Sequence, residues 1–257
     1  MAWEVVAEEL AVRTGKLLLK HIRAPRFVST SLLQRNEDVR IVYAAQLRIE
    51  TGGRFVLVRN LHRPETYAPF GGVMKFYPEA RPALDCLQFK PQDLGPDEDM
   101  VNDLRGFVPA KNLPRMLRWY DRGADRETAA DCLARELREE MREVGISSRV
   151  KIPRRMRIRP VRTVCEGPKK VEGEAYRQFR VFEVYEPVPS DSRAMSLMKR
   201  LGQLAREEAG LCVATAEEIK HGRASDACVV GQPSAYLISE RSFRGHDPFF
   251  VRVSEES

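Results

Sequence analysis

The stretch Arg126-Glu127-Thr128-Ala129-Ala130-Asp131-Cys132-Leu133-Ala134-Arg135-Glu136-Leu137-Arg138-Glu139-Glu140-Met141-Arg142-Glu143-Val144-Gly145-Ile146 decides how this chain reads. At about 100° per residue on a helical wheel, Leu133, Leu137, Met141 and Val144 form one apolar stripe. That is the pattern of a helix laid on a core, and it predicts a helix over 126–143, the strongest in the chain. Glu136, Glu139, Glu140 and Glu143 fall on a neighbouring face, at spacings of three and four. Like charges so placed repel one another, and Arg135, Arg138 and Arg142 relieve part of that repulsion. Two readings stand. A charge run is commonly a solvated face. The same carboxylate cluster also suits a hard divalent cation. Magnesium takes oxygen ligands, keeps several waters and is shared with substrate phosphates. Bound there, it can polarise a phosphoryl oxygen and activate water.

Working outward, residues 3–22 read as an amphipathic helix stopped by Pro25. Val39 to Ile49 and Phe55 to Val58 read as strands, joined by a turn at Thr51-Gly52-Gly53. Tyr67-Ala68-Pro69-Phe70-Gly71-Gly72-Val73 reads as a strand broken by its glycine pair, a sign of a bulge or of close backbone approach. The excursion over 78–125 is too long to be structureless, and Leu113 to Tyr120 predicts a short helix within it. Beyond the central helix, strands are expected at 157–164 and 176–185 and helices at 192–209 and 216–221, the last stopped by Gly222. The mixed order of strands and helices predicts an α/β or α+β domain.

The 257 residues, 43% hydrophobic and 31% charged, describe a soluble globular protein with a substantial core. No apolar stretch reaches bilayer-spanning length, and Glu4, Glu8 and Glu9 break the N-terminus as a secretory signal. Five scattered cysteines without a C-x-x-C pair make a disulfide framework or zinc knuckle unlikely on composition and favour a reducing cytoplasm. The net charge of +6 favours anionic partners, either phosphates or nucleic acid. Residues 149–162 concentrate Arg149, Lys151, Arg154, Arg155, Arg157, Arg159 and Arg162. They could clamp a polyphosphate, or they could simply guard a loop and strand edge against mispairing.

The central stretch resembles the signature of the Nudix hydrolase superfamily. That signature runs glycine, five residues, glutamate, seven residues, then Arg-Glu-apolar-x-Glu-Glu-x-Gly-apolar. Here Glu127 is followed by seven residues and then Arg135-Glu136-Leu137-Arg138-Glu139-Glu140, in matching register. The signature glycine falls at Asp121, with Gly123 the nearest glycine, and Gly145-Ile146 arrives three residues late. The simplest reading of that delay is a helix longer by nearly one turn. Pro69-Phe70-Gly71-Gly72 resembles the family's Pro-Gly-Gly element, but residues 73–126 separate it from the box. This layout resembles the SMODS-associated Nudix group of bacterial antiphage defence islands. The likeness also takes in Asn102-Asp103-Leu104-Arg105, Arg126-Glu127 and Phe179-Arg180-Val181-Phe182-Glu183.

The resemblance implies an α/β/α Nudix sandwich with a mixed sheet. It implies a helical extension over 1–25 and a Nudix domain over 26–257 with a large insertion at about 78–125. It makes Glu136, Glu139 and Glu140 ligands of Mg2+ (or Mn2+), and Glu127 with Arg135 an ion pair bracing the box. Gly71 and Gly72 would bring backbone to substrate phosphates, while Tyr67 and Phe70 are candidates to stack a nucleobase or to pack the core. A further carboxylate is sought among Glu166, Glu172 and Glu174, expected on a loop. The implied activity is metal-dependent cleavage of a phosphoanhydride in a nucleotide or a nucleoside diphosphate-linked compound, in antiphage defence beside a partner protein. A nucleotide-sensing module that binds without cutting is the alternative. Nucleic acid is the less favoured partner, and no membrane partner is expected.

Overall fold

The computed structural model describes residues 25–61, 63–92, 102–153, 156–208, 210–224 and 228–240. The helix expected over 3–22 lies outside the described residues. Helices are α1 Pro25–Leu33, α2 Arg81–Cys86, α3 Leu113–Arg122, α4 Ala129–Glu143, α5 Ser192–Leu204 and α6 Ala216–His221. Strands are β1 Asp38–Leu47, β2 Glu50–Thr51, β3 Arg54–Asn60, β4 Arg63–Ala68, β5 Phe70–Val73, β6 Lys90–Pro91 and β7 Arg105–Pro109. They continue with β8 Ile158–Lys170, β9 Arg177–Pro187, β10 Leu211–Ala214 and β11 Val229–Val230. Pro25 is the first residue of α1, where a first helical turn needs no N–H from proline.

The described chain falls into two compact units. One comprises 25–45, 73–132 and 163–183; the other comprises 46–72, 133–162 and 184–240. The first is built on the strand order β6-β7-β1-β9-β8. Asp38 to Val42 of β1 pair antiparallel with Pro109 to Arg105 of β7. The segment over 78–125 is therefore no appendage: it supplies β6 and β7 to this sheet and α2 and α3 beside it. Its core holds Ile41, Tyr43, Phe76, Val108, Leu113, Met116, Leu117, Phe179 and Val181, all at most 2% exposed. Tyr43 stacks on Tyr120 with ring centroids 3.9 Å apart, and the Arg126 guanidinium lies 4.0 Å from the Tyr120 centroid. Arg126 also donates to the carbonyls of Tyr120 and Glu127. The half-buried cation thus has its hydrogen bonds made.

The second unit carries the order β10-β3-β4-β11. β10 and β4 run antiparallel to β3, while β11 runs parallel to β4. The sheet is mixed, and the class is α/β, as the alternation of elements predicted. The Gly52-Gly53 turn joins β2 to β3, with φ of +57° and +75°. The strand break upstream falls at Pro69, between β4 and β5, and the glycine pair lies inside β5. Proline lacks the N–H that would carry a ladder onward.

Helix α5 starts where Asp191 accepts hydrogen bonds from the N–H groups of Arg193 and Ala194. Asp191 also accepts from the Arg157 N–H at 2.9 Å, tying the approach to β8 to the helix. These bonds, the one from Arg157 foremost, hold the Asp191 carboxyl below its ordinary value near 3.8. A depressed carboxyl contributes stability above its unfolded pKa and loses it as pH falls through the folded one. Asp191→Ala should therefore cost about 1 kcal/mol in urea unfolding at neutral pH. The gap from wild type should close as the pH is taken below about 4; a gap that stays constant would show that the carboxylate is not the cause.

Candidate active site

Helix α4 begins at Ala129, three residues later than its periodicity suggested. The cause is a cap. The Thr128 hydroxyl accepts the Asp131 N–H at 3.2 Å and donates to the Asp131 carboxylate at 2.7 Å. Threonine placed so ends the run of helical backbone on its N-terminal side. Glu127 therefore stands before the helix, buried at 8% exposure. Its carboxylate accepts the Lys75 N–H at 2.9 Å, and its own N–H donates to the Lys75 carbonyl at 2.8 Å. This grip on residue 75 was invisible in the sequence, because the partner is backbone.

The far end of α4 answers the question raised by the late glycine. The Gly145 N–H donates to the Arg142 carbonyl, and the Ile146 N–H to that of Met141. Gly145 has φ of +76°. This paired pattern is a Schellman cap, and it places Ile146 in the core at 1% exposure. The additional residues lengthen the helix and leave its glutamates in one regular frame. Cys132, Leu133, Leu137 and Met141 form the buried stripe, each at most 1% exposed.

The carboxylates are set against the glycine pair. The Gly71 N–H donates to Glu140 Oε2 at 3.1 Å. A Cβ built on Gly72 would stand 2.3 Å from the Glu136 carboxyl carbon. Only a residue without a side chain leaves Glu136 this place, and Gly71, at φ of +133°, holds a conformation that favours glycine. The Glu140 carboxyl is raised well above its ordinary value, first by burial and then by the charge of Glu136; the Gly71 N–H opposes the shift. Arg135 Nη1 reaches Glu136 Oε1 at 2.7 Å and Glu139 Oε2 at 3.1 Å. Arg135 thus links two of the candidate ligands. The i,i+4 spacing of Arg135 and Glu139 was the available signal for it.

Other candidates divide. Phe70 is completely buried, so its ring is core and cannot stack a base. Tyr67 is half-buried on β4, opposite Arg59 and Val230. Burial, and then Cys228, push its hydroxyl up. Glu166 lies on β8 rather than on a loop, where it pairs with Arg180 of β9. Glu172 and Glu174 are exposed in the β8–β9 connection. Within the basic run, Arg149 meets Glu207 and Glu208, and Arg159 meets Glu186.

The donor set fits a hard divalent cation in its chemistry. Glu136, Glu139 and Glu140 supply only oxygen, and the crowding that raises Glu140 is what a cation relieves. Among the described residues, no group of three or more His, Cys, Asp or Glu side chains stands ready-made to hold a metal ion. Magnesium commonly completes its shell with water and substrate phosphate.

Mixed sheets with helices, and a glutamate-bearing helix seated on a glycine pair, define a Nudix-type domain. The family described as SMODS-associated NUDIX domain matches residues 38–238, and the chain belongs to it. No curated protein and no solved structure matches the chain. Among the described residues, no helix is long and apolar enough to cross a membrane.

Two outcomes follow from this geometry. Gly72→Ala should displace the flexible Glu136 carboxylate rather than unfold the chain. The melting temperature should change little, while Mn2+ affinity, read by electron paramagnetic resonance, falls about tenfold or more; unchanged affinity would remove Glu136 from the ligand set. Arg135→Ala leaves crowded carboxylates without their internal cation and should cost on the order of 2 kcal/mol in the absence of metal. Added Mn2+ should recover part of that loss in a thermal melt.

Proposed function

We propose that the chain is a metal-dependent hydrolase that cleaves a phosphoanhydride in a nucleotide or a nucleoside diphosphate-linked compound. The observation that carries this reading is the convergence of Glu136 and Glu140 on the backbone of Gly71 and Gly72. Solvated acidic faces do not bury a carboxylate beside another one, because desolvation and like charge both oppose it. Such an arrangement is retained where charge is to be met by charge, and the family is one of nucleotide-related hydrolases.

In this reading Glu136, Glu139 and Glu140 hold Mg2+ or Mn2+. The metal supplies activation of water and neutralisation of phosphoryl charge. Gly71 orients Glu140 through its N–H, and Gly72 keeps the space for Glu136 and for an approaching phosphate. Arg135 holds Glu136 and Glu139 in common direction before substrate arrives. Glu127 fixes the chain at Lys75 ahead of the helix. Tyr67 is the remaining aromatic candidate on the substrate side. Membership of the SMODS-associated group supports, within this proposal, a role in antiphage defence beside a defence-system protein.

A second reading has its own observation. Arg135 already pairs with both Glu136 and Glu139, and an internal guanidinium in place of a metal would make the site a nucleotide sensor. Incubation with Mg2+ or Mn2+ and a nucleotide panel, with products identified by mass spectrometry, separates the two. The hydrolase gives a nucleoside monophosphate product, and Glu139→Gln and Glu140→Gln each lower the rate by at least about 100-fold with the melting temperature kept. A wild type that binds a nucleotide but releases no product is the sensor. Variants that hydrolyse at the wild-type rate would remove the metal assignment.

A further inference from the structure

Helix α3 buries Leu113, Met116, Leu117 and Tyr120 completely. Its other face carries Arg115, Arg118, Trp119 and Arg122. These positions are related by steps of three and four, so their Cβ atoms are neighbours about 5–6 Å apart. The three arginines are exposed and Trp119 is half-buried between them. Among the described residues, none of these arginines has a carboxylate partner. That sets them apart from Arg149 and Arg159, whose charges are matched. Like charges at these spacings cost helix stability, and the burial of the opposite face of α3 does not require them.

The stripe also has a hollow. Between α2 and α3 lies a cavity of about 300 Å³, floored by Ala83 and Leu87 and walled by Trp119 with the three arginines. It is of the size that takes a single planar ring with its substituents, at the small end of ligand sites. An apolar floor, one indole and a ladder of guanidinium groups is the combination that binds unstacked bases. The aromatic ring receives a base face, and the cations follow the phosphates. A duplex keeps its bases stacked and offers no face to Trp119. An acidic peptide meets the arginines but needs an additional aromatic side chain for the hollow, whereas each nucleotide carries ring and charge together.

We infer that the α2–α3 face, through Arg115, Arg118, Trp119 and Arg122, binds single-stranded nucleic acid. The site lies wholly in the first unit and is independent of the hydrolase reading. The net charge of +6 is of the sign required.

The full chain has two tryptophans, Trp3 and Trp119, so a Trp3→Phe background leaves Trp119 as sole reporter. Fluorescein-labelled oligo-dT and oligo-U are titrated in EDTA, which keeps hydrolysis out of the readout, and Glu139→Gln should bind as wild type does. Binding is expected to quench Trp119 emission. Trp119→Ala should weaken it about tenfold. Arg115→Gln/Arg118→Gln/Arg122→Gln should lower the slope of log K against log salt by about 2. The three arginine changes lie at exposed positions and should keep the melting temperature. The inference is overturned by a triple variant that binds as tightly as wild type. Failure of either oligonucleotide to bind, or equal binding of a duplex with Trp119 emission unchanged, overturns it too. Displacement of the oligonucleotide by a polyglutamate peptide at equal concentration would assign the face to a protein partner instead.

Discussion

Two carboxylates that must stand side by side need a surface that neither fills the space nor repels them, and the rest of this molecule is arranged around that requirement. Glu140 is pushed toward its neutral form by burial and by Glu136. One N–H, from Gly71, works against that push. Glu136 occupies the volume where any other residue at position 72 would keep its Cβ. The glycine pair is therefore less a flexible element than a mould for the carboxylates. It restricts what may follow: β5 has to present backbone, not side chains, to α4. The bulky residue of that strand, Phe70, goes to the core instead.

Fixing the glutamates also requires that α4 keep one phase from Arg135 to Glu143. Both ends are secured for this. Thr128 and Asp131 set the first turn, and the bonds from Gly145 and Ile146 close the last. A delay of the glycine by three residues would matter if it forced an irregular turn near Glu140. The chain places it after a regular continuation, so Met141 remains in the apolar stripe and Ile146 anchors the exit. The cost of the longer helix falls on Glu143, one more acid on an already acidic face.

What could be read from sequence was whatever depends on local periodicity or on turn chemistry. The stripe of Leu133, Leu137 and Met141, the Gly52-Gly53 turn, the α3 segment at Leu113 and the short α6 ahead of Gly222 all announce themselves within a few residues. The site residues were legible as types at fixed spacing, and the frame of Glu136, Glu139 and Glu140 needed nothing else. What could not be read involves backbone partners or distant pairing. Glu127 grips the main chain of Lys75, which no side-chain pattern reports. Residues 105–109 look like part of an excursion until their antiparallel register with β1 is seen. Glu166 looked like a loop acid because nothing local says that β8 runs on to Lys170. Phe70 beside two glycines suggested a ligand contact, where the alternation of β5 sends it inward.

Charge distribution shows the same limit from another side. A surplus of six positive charges says nothing about where it resides. The densest run in the sequence, 149–162, is the natural place to look for an anion site. Yet its described arginines at 149 and 159 are held by Glu207, Glu208 and Glu186, and the Arg157 N–H serves Asp191. Part of the local density there serves ion pairs within the second unit. On α3 the arginines are fewer and spaced like ordinary surface residues, so the sequence does not draw attention to them. They become conspicuous only when the opposite face proves fully buried and, among the described residues, no ion pair to them is found. The surplus that matters for an outside partner is the charge left after internal pairing, and that remainder can be counted only on the folded chain.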